Sequence, residues 1–234
     1  MFSPKTPHYN ERKAAISMLI IHGTEVDDAA TRAILEGKAE REASAHYYID
    51  DKGAVTQYLD ESVRAWHAGL SYWEGVTDIN SASIGIELLA ISNDGSFSGP
   101  ETFYTDAQIA SLVVLAKEIC ARHNIAPHHV LAHEDIAPKR RLDPGKHFPW
   151  EKLAEQGVGL WHELAPVTHD PVLKDDAEII EVLGQYGYDT RPEMDRAALL
   201  KAFQTHFLPW NICGQPTPQA FQAAKILVTK KFKL

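Results

Sequence analysis

The sequence predicts an α/β (α+β) protein, a mixed central β-sheet flanked by helices and followed by a small all-α domain of three helices. Three observations carry this. Short apolar runs of strand length, at 17–22 (SMLIIH), 83–89 (SIGIELL) and 130–132 (VLA), are interspersed with amphipathic stretches of helix length. A hairpin pattern, 45–49 (AHYYI) and 54–59 (AVTQYL) around the turn Asp51-Lys52-Gly53, adds an antiparallel component. From about Asp175 the strand patterns stop and three helical patterns follow.

In order along the chain, residues 1–16 are polar, carry two prolines and read as an extended arm. The run 17–22 reads as a buried strand that ends on His22 and opens into Gly23-Thr24. Residues 27–35 read as a helix capped by Asp27 or Asp28 and stopped at Gly37. In 83–89 Ile84, Ile86 and Leu88 point one way, and Ser83, Gly85 and Glu87 the other. An acid on a face with a glycine and a serine suggests that something approaches that face closely. A Gly/Ser/Pro loop at 93–101 precedes the capping-box pattern Thr105-Asp106-Ala107-Gln108 and a helical stripe to about Asn124. Phe148-Pro149-Trp150 starts a helix to about Gly157, and 160–171 reads as linker. Helices are then expected at 177–186, 195–207 and 217–230. The organisation predicted is an arm (1–16), a main domain (17–158), a linker (159–174) and a helical domain (175–234).

The 234 residues are 44% hydrophobic and 24% charged, ordinary for a globular chain with a sizeable core. A net charge of −9 argues against a nucleic-acid partner, which calls for a basic face. The four lysines of 225–234 read as a solvated helix end. Cys120 and Cys213 form no disulfide framework or cysteine zinc site, and Cys120 reads as a buried thiol. No apolar run is long enough for a membrane span or a signal peptide. The expectation is a cytoplasmic protein, or a periplasmic one if a leader has been removed. Oligomeric state has no signature in the sequence.

The chemistry concentrates in 133–145 (HEDIAPKRRLDPG). His133 follows an apolar strand, as His22 does. Asp143 lies ten positions on, before a proline that favours extended backbone and a glycine that permits a tight turn. Two imidazoles and a carboxylate with an open position suit a catalytic zinc, which keeps three protein ligands.

The ensemble IIHGT (20–24), SAHYYI (44–49), RAWHAGLSYW (64–73), NSASIGIELL (80–89) and AHEDIAPKRRLDPGKHFPW (132–150) resembles the zinc-dependent N-acetylmuramoyl-L-alanine amidases, the type 2 amidases that share a fold with peptidoglycan recognition proteins. The resemblance covers roughly 15–157, with its five motifs in order. The segment 178–231, notably LLKAFQTHFLPW (199–210), is similar to the helical peptidoglycan-binding module often fused behind that domain.

The resemblance implies His22, His133 and Asp143 as ligands of one zinc per chain, and Glu87 as the catalytic acid. It puts Arg141 where the family usually has a lysine. A cation is kept there, but a planar guanidinium of higher pKa is a poor proton shuttle. Trp66, His67 and Trp73 match positions near the substrate groove, although Trp66 could equally be core. Asn80 could orient substrate, and His46 reads as a packing or supporting residue rather than a fourth ligand. The implied substrate is peptidoglycan or a muropeptide. Intact sacculus and the 1,6-anhydro form share the scissile bond. A non-catalytic peptidoglycan recognition protein is the alternative, and loss of a ligand would favour it. A zinc hydrolase of another amide is the third reading.

Overall fold

The computed structural model describes residues 3–92 and 101–233. The loop expected at 93–101 therefore lies, apart from Glu101, outside the described residues.

The chain opens with β1 (Tyr9–Glu11), β2 (Met18–Gly23) and α1 (Asp28–Leu35), then β3 (Tyr47–Ile49), β4 (Val55–Gln57) and β5 (Val63–Ala65). Next come α2 (Ile79–Ala82), β6 (Ser83–Leu88), β7 (Ile91–Ser92), β8 (Thr102–Phe103) and α3 (Asp106–His123). The strand β9 (Val130–Ala132) runs directly into α4 (His133–Ile136), and α5 (Trp150–Glu155) follows. The last three helices are α6 (Ala177–Tyr186), α7 (Arg196–Phe207) and α8 (Pro218–Lys231).

The central sheet has five strands in the order β4-β3-β6-β2-β9. β2 pairs in parallel with β6 and β9, and β3 in parallel with β6, while β4 is antiparallel to β3. The sheet is mixed, as predicted. All six residues of β2 are buried, the pattern of a central parallel strand covered on both faces. The expected caps form as well. Asp27 accepts from the Ala30 N–H, and Thr105 and Gln108 close a reciprocal capping box on α3.

The arm is more ordered than the sequence suggests. β1 pairs with β5 to make a separate two-stranded sheet. Arg12 ties the segment down, donating from Nε to Glu61 O at 2.7 Å and from Nη1 to Ser81 O at 2.8 Å. Neither contact is visible in local pattern, because the partners lie about 50–70 residues away.

The apolar core runs without a break from the sheet into α6, α7 and α8. Trp73 is central to that junction. It is fully buried and packs edge-on against Tyr186 and Tyr188, with ring centroids 5.7 and 4.9 Å away. Its expected place beside a substrate groove is therefore corrected: Trp73 is core, because residues of the helical module cover it. The segment read as linker docks over part of its length, where Trp161 and His162 are buried and the His162 ring meets Phe207 O. Cys120 is half-buried rather than buried. The lysine-rich end is not simply solvated. Lys230 donates to Trp161 O, and Lys231 donates to Gln185 O and Tyr186 O and pairs with Glu74.

A candidate metal centre at the strand ends

His22 and Glu87 are register partners on adjacent parallel strands, near the carboxyl ends of β2 and β6. His133 is the first residue after the neighbouring strand β9. Three strands thus deliver three chemical groups to one edge of the sheet, where open α/β sheets hold their ligands. Asp143 joins them from the loop after α4, where Asp143–Pro144 is cis and Gly145 takes a positive φ of 86°. The Glu134 N–H donates to Asp143 O at 3.0 Å and anchors that loop to α4.

Three donor atoms converge. His22 Nδ1 and His133 Nδ1 are 2.9 Å apart, and Asp143 Oδ2 lies 3.4 Å from the first and 3.1 Å from the second. A tetrahedral ion with bonds of about 2.0–2.2 Å would space its ligands by roughly 3.3–3.5 Å, so the triangle fits zinc with little movement. The protonation states also fit. Burial, helped by the neighbouring His133, lowers His22 to about 4, leaving a neutral imidazole at pH 7. Burial opposes ionisation of Asp143, yet the two imidazoles outweigh it and hold its carboxyl far below the usual range. The donor set is two imidazoles, of which His22 is neutral, and one carboxylate, the set a divalent transition metal prefers.

His133 and Asp143 border a cleft of about 60 Å³ that is also lined by Trp66, His67, Glu87 and Arg141. Glu87 is pushed up to about 8, first by burial and then by the Asp143 charge. Arg141 pairs through Nη1 with Glu25 Oε1 at 3.3 Å, and its Nε is buried without a hydrogen-bond partner. Trp66 is half-buried at the cleft, its Nε1–H donating to Asn10 Oδ1 at 2.6 Å.

The other expected groove residues sit differently. Asn80 is buried and away from the cleft lining, and its Oδ1 accepts the His67 and Ala68 N–H groups at 3.0 and 2.7 Å. His67 lines the cleft, but its ring is committed to His22 and Ser83 at 2.9 and 3.2 Å. Asn80 is thus placed off the cleft, holding the His67–Ala68 backbone, while His67 keeps its place in the lining. His46 is fully buried and accepts the Gly85 N–H at Nδ1, the packing role expected of it. The sequence reading missed Glu25 and Arg41, which pair with each other at the cleft, and Arg140, whose Nη2 donates to Ala68 O at 2.8 Å. Glu25 and Arg41 belong to no pattern. Arg140 stood in the basic triplet but had no feature separating it from Arg141.

A second His/Glu group, Glu74, His128 and His129, lies apart from this site at the junction with α8.

A family model for N-acetylmuramoyl-L-alanine amidase matches residues 12–146. The chain is 38% identical to the N-acetylmuramoyl-L-alanine amidase AmiD of Escherichia coli (strain K12), over 92% of this chain and 83% of that protein. It is 35% identical to the 1,6-anhydro-N-acetylmuramyl-L-alanine amidase AmpD of Haemophilus influenzae, over 63% of this chain and 87% of that one. Among solved structures, E. coli AmiD in complex with the substrate anhydro-N-acetylmuramic acid-L-Ala-D-gamma-Glu-L-Lys superposes with a TM-score of 0.81 at 36% identity, covering 94% of this chain and 92% of that chain. AmpDh3 from Pseudomonas aeruginosa gives 0.78 at 31% identity, covering 98% and 99%. The fold, the ordered motifs and the length of these matches agree, and this chain belongs to the N-acetylmuramoyl-L-alanine amidase family, Amidase_2.

Proposed function

We propose that this amidase binds one zinc ion per chain through His22, His133 and Asp143. Its reaction would be hydrolysis of the amide joining the lactyl group of N-acetylmuramic acid, or of its 1,6-anhydro form, to L-alanine. The observation that supports this best is the convergence of three donor atoms at the edge of a cleft that Glu87 lines. A recognition protein without catalysis would need neither a complete ligand set nor an acid of raised proton affinity next to it.

Zinc held there supplies Lewis acidity, polarising a carbonyl and making water acidic near neutral pH. Glu87 takes the proton from the attacking water. Its carbon–oxygen bond to the amide carbonyl forms as Glu87 receives that proton, and the carbon–nitrogen bond then breaks as Glu87 returns it to the departing alanine amine. Burial raises the proton affinity of Glu87, which suits a group that must take a proton and then return it. Arg141 donates to the developing oxyanion, which a guanidinium does well even though it cannot shuttle protons. Trp66 offers an aromatic face at the cleft for sugar or peptide.

We assign the hydrolase to residues 17–158 and a peptidoglycan-binding-like role to the helices of 175–234. The two substrate sources share the scissile bond, so both belong in one assay. The purified protein should carry about one zinc per chain. It should release free muramyl and L-alanyl-peptide products from a 1,6-anhydromuropeptide or from isolated sacculi. Glu87→Gln should retain the metal and lose about 10²–10⁴-fold in kcat. Near-normal turnover of that variant would place the base elsewhere.

A further inference from the structure

Both imidazoles of the metal triad are held from behind by two consecutive residues. Behind His22, Nε2 lies 2.9 Å from His67 Nδ1, and His67 Nε2 lies 3.2 Å from Ser83 Oγ. Ser83 Oγ donates in turn to Ile79 O at 2.6 Å. Behind His133, Nε2 lies 3.2 Å from Ala68 O.

These contacts have only one consistent direction. A backbone carbonyl only accepts. The Ser83 proton is therefore committed to Ile79 O, and its oxygen accepts from His67 Nε2–H. His67 Nδ1 is then a lone pair that accepts from His22 Nε2–H, which leaves His22 Nδ1 as a lone pair facing the triad. Ala68 O likewise fixes His133, whose Nε2–H donates to it and whose Nδ1 is thereby the nitrogen turned to the triad, 3.1 Å from Asp143 Oδ2. Each ligand is thereby held in one ring orientation with Nδ1 turned inward.

The backbone that does this is itself fixed. Asn80 Oδ1 accepts the N–H groups of both His67 and Ala68, at 3.0 and 2.7 Å. Arg140 Nη2 fills the second lone pair of Ala68 O at 2.8 Å. Gly85 leaves the space: a Cβ there would stand 2.5 Å from His67 Cγ. His22, His67, Asn80, Ser83 and His133 are all buried, so water does not compete for these bonds.

We infer that the His67–Ala68 segment, pinned by Asn80 and terminated by Ser83, is a positioning clamp that presets both histidine ligands for the metal. The inference rests on the zinc reading above. These residues touch no reacting atom and act through His22 and His133. Outer hydrogen-bond partners of ligating histidines are worth about 10–100-fold in metal affinity or activity.

The test is zinc affinity, measured by competition with a chromogenic chelator on the purified chain of 234 residues. His67→Phe keeps an aromatic ring but removes the acceptor, and should weaken zinc binding about 10–100-fold. His67→Asn should recover most of that loss, because its Oδ1 can stand where Nδ1 does and accept from His22. Ser83→Ala should weaken zinc in the same direction and less. At saturating zinc, KM for the muropeptide should be unchanged in all three. Zinc affinity of His67→Phe within about threefold of wild type, or no advantage of Asn over Phe, would overturn the clamp. A raised KM with unaltered zinc affinity would make His67 a substrate contact instead. If His67→Phe does not fold, the Ser83→Ala affinity decides, and an unchanged value rejects the clamp. A wild-type chain that takes up no zinc fails the zinc reading itself, a separate outcome visible before any variant is made.

Discussion

The segment 133–143 feeds two clusters made from the same kinds of side chain. One is the triad of His22, His133 and Asp143, and the other is Asp135 with His206 and Tyr188. In both, an aspartate sits within about 3 Å of an imidazole in a largely buried setting. The second cluster is saturated. Asp135 Oδ1 accepts from the Tyr188 hydroxyl at 2.5 Å, and Oδ2 accepts from the Ala132 N–H and His206 Nδ1, both at 2.7 Å. The His206 ring is stacked between Trp150 and Phe207, at 3.9 and 3.8 Å. Asp135, Tyr188 and His206 are all buried. In the triad the outer ring nitrogens are satisfied, while three inner atoms turn toward one another beside a cavity. Burial and His–Asp proximity are common to both, so they do not mark the site. What marks it is that three ligand-type atoms, one from each residue, converge on a single point beside the cleft.

The largest effect expected from this contrast is loss of the metal. Asp143→Ala should bring zinc from about one per chain to near zero by metal analysis, and abolish amide hydrolysis, while leaving a folded protein. Full zinc occupancy in that variant would break the distinction. Asp135→Ala should do the reverse. Leaving His206 and Tyr188 buried without their acceptor should cost about 3–5 kcal/mol of stability, read by denaturant unfolding, with zinc stoichiometry kept. A folded Asp135→Ala protein that no longer binds zinc would make the two clusters one functional unit.

The smallest expected effect lies at the junction where the helices dock. Burial pushes Glu74 up, but hydrogen bonds from His129 and Lys231 outweigh it and hold it at about 2. A carboxylate depressed in the folded state contributes stability above its unfolded value near 4.3, and that contribution is lost as pH falls from there toward 2. The thermal midpoint should therefore drop across that window, and Glu74→Gln should flatten the drop. An identical pH profile in that variant would remove Glu74 from the account of docking.

Much of the fold was legible in local pattern. Short continuous apolar runs marked β2 and β9, an alternating one marked β6, and the final helices were placed to within a residue, because Gly187, Asp195 and Thr217 punctuate them chemically. His22, His133, Asp143 and Glu87 were legible because strand ends and a Pro-Gly turn put polar groups where a sheet exposes them. The roles of Trp73, His67 and Asn80 were not legible. A motif shows that a residue belongs near a site but not which way its polar atoms point.

By itself, the sequence determined the family and the order and type of the main strands and helices, and it pointed to the four residues that meet at the strand ends, since each depends on short-range periodicity or on ordered motifs. Tertiary structure alone decided which neighbours those residues meet. It put Trp73 under Tyr186 and Tyr188, gave the last lysines to Glu74 and the α6 carbonyls, and turned the His67–Ala68 segment to the back of both imidazoles. The physical reason is that a hydrogen bond's direction is fixed by both partners. Here those partners lie 45 to 157 residues apart, from His22–His67 to Glu74–Lys231, and only packing brings them together.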